Sequence, residues 1–181
     1  SSSPFIMQQH YGFSAFEFSL FFGINALAIG VAAGLSVKFS NPEHAMFVGC
    51  VGMTLLSAIE FAALGLGCSF AVYEALLFLL LFALGLTFTA STTLAMDCER
   101  ANSGTASALF GAAGFAFGGI VSPLVGLGDI LTTTGLIFFV CSLCSLGFAV
   151  LALRQTHTGL WHSFKVRLIP VVRLDFLRRS K

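Results

Sequence analysis

Long apolar runs separated by short polar turns dominate this sequence. No Asp, Glu, Lys or Arg occurs between Phe18 and Val37, from Ala75 to Met96, from Ala101 to Gly128, or from Ile130 to Leu153. From Ala45 to Tyr73 there is one, Glu60. A bilayer core about 30 Å thick is crossed by about 20 apolar residues in helical form. The pattern predicts five transmembrane helices, at roughly 16–37, 45–66, 70–95, 105–127 and 130–153. Helix is the required form, because hydrocarbon cannot satisfy backbone N–H and C=O groups and the runs lack the alternation of a barrel strand. The turns between runs carry helix breakers: Asn41-Pro42, Gly65 and Gly67, the polar stretch 97–104, and the tight Gly126-Leu127-Gly128-Asp129.

Composition agrees with this pattern. Of 181 residues, 57% are hydrophobic and 9% charged, against about 25% charged in an ordinary soluble domain. Disordered chains are polar and charge-rich, and a water-soluble domain needs far more polar surface. The 19 glycines follow no fixed period, which excludes a collagen-like chain.

The net charge of +1 hides an asymmetry. Five spans give alternating sides. All nine basic residues lie on the side of the 38–44 turn, the 97–104 turn and the tail, and none lies at 1–16, 67–74 or 126–129. The positive-inside rule makes the basic side cytoplasmic and puts the N-terminus outside. The stretch Ser1-Ser2-Ser3-Pro4-Phe5-Ile6-Met7 reads as the outer end of a preceding helix, so the chain is expected to be a fragment whose missing part is N-terminal. The expected organisation is 1–15 as that outer end, 16–153 as a five-helix transmembrane part, and 154–181 as a basic cytoplasmic tail. The tail is net +6 and the rest −5. Its interleaved Trp161, Phe164, Leu168 and Phe176 suit an anionic membrane surface, chiefly as a topological anchor. Nucleic acid is not an expected partner.

The faces of the spans nominate residues. Gly23, Ala26, Gly30, Ala33 and Gly34 form one stripe of the first span, and Gly111, Gly118 and Gly119 share a side of the fourth with Ala108, Ala112 and Ser122. Small residues at this spacing let helices approach closely. Leu109, Phe110, Phe117, Ile120, Val121 and Leu124 hold the opposite, lipid-suited side, and Pro123 is expected to kink the outer end. Asn25, mid-span, needs either an interhelical hydrogen bond or a wet substrate cavity. Glu60 is the one ionisable group well inside a span and shares a face with Gly49, Met53 and Ser57. It is a candidate proton site, or alternatively a hydrogen-bonded structural carboxyl. Thr87, Thr89, Ser91, Thr92 and Thr93 either bond back to the helix backbone or line a polar cavity. Thr89 and the fourth-span Phe115 join Asn25 as substrate-cavity candidates.

No enzyme constellation is present. His10, His44, His157 and His162 fall outside the spans, and no H-E-x-x-H, G-x-S-x-G or P-loop pattern occurs. Cys141 and Cys144 lie in an apolar span and read as packing residues. No catalytic residue, metal or cofactor is expected.

Ser3-Pro4-Phe5, Tyr11-Gly12-Phe13-Ser14, Phe18-Ser19 and Asn25-Ala26 resemble the second half of bacterial drug:proton antiporters, nearest the Bcr/CflA group of the major facilitator superfamily. Gly104-Thr105-Ala106-Ser107-Ala108-Leu109 followed by Gly111 resembles the start of that group's eleventh helix, and Val121-Ser122-Pro123-Leu124-Val125-Gly126 its outer end. The resemblance covers residues 1 to about 153; the tail shows none. It implies an all-α integral membrane protein whose five spans are helices eight to twelve of a twelve-helix transporter, working by alternating access in a bacterial inner membrane. The small-residue faces would pack against the missing N-terminal six-helix half, and Asn25 would sit on a cavity-lining helix. Glu60 would sit on peripheral helix nine, with family proton-handling residues in the missing half. The implied activity is proton-coupled efflux of drugs or other small amphipathic compounds, with that small-molecule substrate, protons and the lipid bilayer as partners. Two alternatives are a facilitator carrier for a metabolite and a non-transporting polytopic scaffold subunit.

Overall fold

The computed structural model describes residues 3–98 and 102–155. The readings made for Arg100 and for the tail beyond Gln155 lie outside the described residues. A short α1 (Ser3–Phe5) runs into a π-helical turn at Ile6–His10, and five long helices follow: α2 (Ala15–Ser36), α3 (Pro42–Gly65), α4 (Phe70–Cys98), α5 (Ser103–Val121) and α6 (Ile130–Gln155). All five are long and apolar enough to cross a membrane. The fold class expected from the sequence is therefore observed: all-α, with five membrane-length helices.

Local chemistry sets the helix ends. At the start of α2, the Glu17 backbone N–H donates to Ser14 Oγ at 3.3 Å, while the Ser14 N–H donates to Glu17 Oε2 at 2.8 Å, a reciprocal capping box. Pro42 opens α3, where its missing N–H costs nothing. Gly67, at φ +69°, turns the chain out of α3 through a conformation that L side chains rarely adopt. The expected kink at Pro123 is instead an end: α5 stops at Val121 and a 3₁₀ stretch, Ser122–Leu127, carries the chain to Gly128. Asp129 then caps α6, its Oδ2 accepting from the Thr132 N–H at 3.1 Å and hydroxyl at 3.0 Å.

The helices do not pack equally. α3 lies between α4 and α6, and α2 packs on the other side of α4. α5 touches α4 only lightly and has no buried residue. Tight approach within this layer runs through Gly49, Gly85 and Gly135. A Cβ on Gly49 would run into Thr87 Oγ1 and lie 3.0 Å from the Ala83 carbonyl oxygen. One on Gly85 would lie 2.6 Å from the Ile29 carbonyl oxygen, and one on Gly135 3.0 Å from Phe61 Cα. Real Cβ atoms need more room than this, so glycine at these places lets backbones meet.

Apolar clusters close the two ends of the layer. Ile6, Met7, Leu64, Tyr73 and Leu77 form one, and Ala45, Met46, Cys50, Ala90 and Ala149 the other. The N-terminal segment thus forms a roof over the α3–α4 turn. It is fastened there by Tyr11, whose Oη donates to the Cys68 carbonyl at 3.0 Å.

Candidate functional site

Most polar side chains in these helices bond within their own helix. Thr87 donates to the Ala83 carbonyl at 3.0 Å, Ser91 to Phe88 at 3.1 Å, Thr92 to Phe88 at 2.7 Å and Thr93 to Thr89 at 2.9 Å. These hydroxyls satisfy carbonyls on their own helix. A second set crosses between α3 and α6. The Ser57 and Ser142 hydroxyls are 2.7 Å apart, and Thr54 Oγ1 donates to the Ser142 carbonyl at 3.2 Å. Such bonds hold helices together where lipid provides no hydrophobic drive.

A third set has a different character. Asn25 of α2 is buried, and its Nδ2 donates to Glu74 Oε1 of α4 at 2.8 Å. Glu60 of α3 has no exposed surface, and among the described residues no donor reaches either of its carboxyl oxygens. It lies within electrostatic reach of Glu74. Tyr73, also buried, lies within reach of both carboxyls and of Tyr11. Three neighbouring helices therefore bring two carboxyl groups and one amide together inside the membrane-length part of the chain. An isolated buried carboxylate is costly in a low dielectric, so a charged pair at this place is unfavourable without a neutralising partner.

Sequence reading nominated Asn25 and Glu60 separately and missed Glu74, which joins them. The signal was available: Glu74 sits one turn into the helix that begins at Phe70, on the flank of the 75–96 apolar run. The other nominated residues are placed apart. Thr89 lines an open groove of about 430 Å³ with Phe88, Thr92, Thr93, Met96 and Asp97. Phe115 is 87% exposed on α5. Gly23, Gly30, Gly34, Gly111, Gly118 and Gly119 all face open space, a Cβ on any of them meeting nothing within 4 Å. The glycines that pack here, Gly85 and Gly135 among them, stand alone among bulky residues and carry no stripe to mark them.

Outside the helices, two groups have displaced acidities. The backbone N–H and then the hydroxyl of Thr132 hold the Asp129 carboxyl below its usual range. Burial pushes the Tyr11 phenol up.

These features define a multi-pass α-helical membrane protein with a polar cluster shared by α2, α3 and α4 and open glycine-bearing faces elsewhere. The chain is similar to an uncharacterized MFS-type transporter, YdgK, of Bacillus subtilis (strain 168), at 31% identity over 144 residues, which is 77% of this chain. The chain matches 36% of that relative's length. This likeness supports the major facilitator superfamily and does not single out the drug:proton antiporter group within it. No family model matches the chain, and no solved structure matches it.

Proposed function

We propose that this chain is the C-terminal half of a proton-coupled exporter of drugs or other small amphipathic compounds, working by alternating access in a bacterial inner membrane. Its spans then correspond to helices eight to twelve of twelve, with the N-terminus of this piece outside and the C-terminus cytoplasmic. The observation that carries the reading is the open glycine-bearing face of α5, a membrane-length helix with no buried residue. A helix of small residues suits close contact with another helix, and a missing N-terminal six-helix half supplies one. The likeness to an MFS-type transporter supports the same arrangement. Apolar walls with few polar groups suit loose selectivity among amphipathic molecules. In this reading Thr89 and Phe115 face the substrate path.

The test is efflux by the full-length protein. Ethidium is supplied outside everted membrane vesicles carrying it, and its accumulation in the lumen is followed with an imposed proton gradient, acid inside, and after a protonophore collapses it. Export that stops with the gradient supports antiport. Export indifferent to the gradient rules it out.

A further inference from the structure

Among the described residues, five buried side-chain atoms have no hydrogen-bond partner: Asn25 Oδ1, Glu60 Oε1, Glu60 Oε2, Glu74 Oε2 and Thr134 Oγ1. Four of the five belong to the three residues that α2, α3 and α4 bring together. Buried polar groups are normally satisfied, so this concentration of lone acceptors on three adjoining helices is chemically suited to a donor or a cation. All four atoms are acceptors. None can satisfy another until a proton or a metal cation arrives.

We propose that Glu60 and Glu74 form one intramembrane cation site that holds a single proton, with Asn25 as the positioning residue that keeps Glu74 facing Glu60. The depth of the pair fits this. Glu60 lies five residues before the end of α3 and Glu74 four residues after the start of α4, about 7 Å and about 6 Å along their helices. Both carboxyls therefore stand at one level, below the roof formed by Ile6 and Met7. The titratable groups around them are Tyr73 on α4 and Tyr11 in the N-terminal segment, and neither is a cation. Two like charges at this level repel, and a proton on one removes the repulsion while turning an acceptor into a donor.

Asn25 suits both states of the pair. Its amide N–H donates to Glu74 when that carboxyl is charged. Turned over, the amide oxygen accepts from Glu74 when it is protonated. This residue, 5% exposed and bonded directly to one member of the pair, is what distinguishes the group from a chance cluster of acids. Sodium is the rival cation. It prefers several oxygens converging at once, whereas one of the Glu74 oxygens is already engaged by an N–H.

The proposal deepens the transport reading by naming its ion site, and its test does not depend on transport. Full-length protein in lipid nanodiscs is examined by infrared difference spectroscopy between acid and alkaline buffers containing choline in place of sodium. The expected result is a protonated-carboxyl band that E60Q removes, that N25A shifts, and that E60Q/E74Q diminishes by one carboxyl's intensity in total. A double variant that loses two carboxyls' intensity would show two independent protons and overturn the sharing. A band unchanged in E60Q and in E74Q would overturn the site. Sodium added to wild-type protein at constant pH is the second arm, and it needs no variant. Loss of the band on addition would assign the site to sodium instead of the proton, and retention supports the proton. Ethidium transport is measured in parallel on the same proteins in sealed membrane vesicles, so absent transport with an intact band sinks the export reading alone.

Discussion

Asn25 and Glu74 lie 49 positions apart and meet at 2.8 Å, the amide of α2 donating to the carboxyl of α4. Replacing Asn25 with Ala removes a direct donor to a partly buried carboxyl. Interhelical hydrogen bonds in membranes average about 0.6 kcal/mol and reach about 1.7 kcal/mol. N25A should therefore lower stability by about 1 kcal/mol, read as a lower midpoint of denaturation in mixed micelles. An unchanged midpoint would mean that the bond contributes nothing.

The Ser57–Ser142 contact is a second tie, between α3 and α6, and it can be isolated. S57A, S142A and the double variant form a cycle in which neutral hydroxyls are removed one at a time. A coupling of roughly 0.5–1 kcal/mol is expected, because both hydroxyls are buried and 2.7 Å apart. Additive effects would show that each hydroxyl is satisfied by its own backbone instead.

Gly85 and Gly30 make a sharp contrast. A methyl at Gly85 would press on the Ile29 carbonyl and on Ala32 Cβ at 2.9 Å, whereas one at Gly30 meets nothing. G85A should cost about 1–3 kcal/mol, the usual range for overpacking, and G30A should be near neutral for the stability of this five-helix part. If a further helical half covers the open faces, G118L in the full-length protein should impair transport while leaving that stability intact. Normal transport by G118L would argue against close packing on that face.

Asp129 provides a pH-dependent prediction outside the membrane. Its carboxyl is held below the ordinary value of 3.8 by the Thr132 N–H and hydroxyl. A folded-state pKa below the unfolded one means that the cap stabilises α6 above the ordinary carboxyl range and loses that effect as pH falls through the depressed value. Wild type should melt above D129A at neutral pH, and the two should converge in strong acid. A constant gap across that range would show that the carboxyl's charge is not what stabilises the helix.

Much of this architecture is legible in one dimension. The uncharged stretches locate the five helices, to within a few residues except at the end of α5, where a 3₁₀ stretch takes over at Ser122, because a bilayer-length run with no charge has one stable backbone form. Pro42, Ser14-Glu17 and Gly67 mark boundaries through purely local chemistry. Glu60 and Asn25 stand out because polar groups at such positions are expensive.

Partners, by contrast, were decided only in three dimensions. Glu74 sits close to a helix end in the sequence, and nothing local says that α4 turns it toward α2. Gly85 and Gly135 belong to no stripe, yet they are where backbones touch, while the regular glycine rows of α2 and α5 face outward. Periodicity tells which residues share a side of a helix. It cannot tell which helix lies across from that side, because that depends on how all the faces compete for contact.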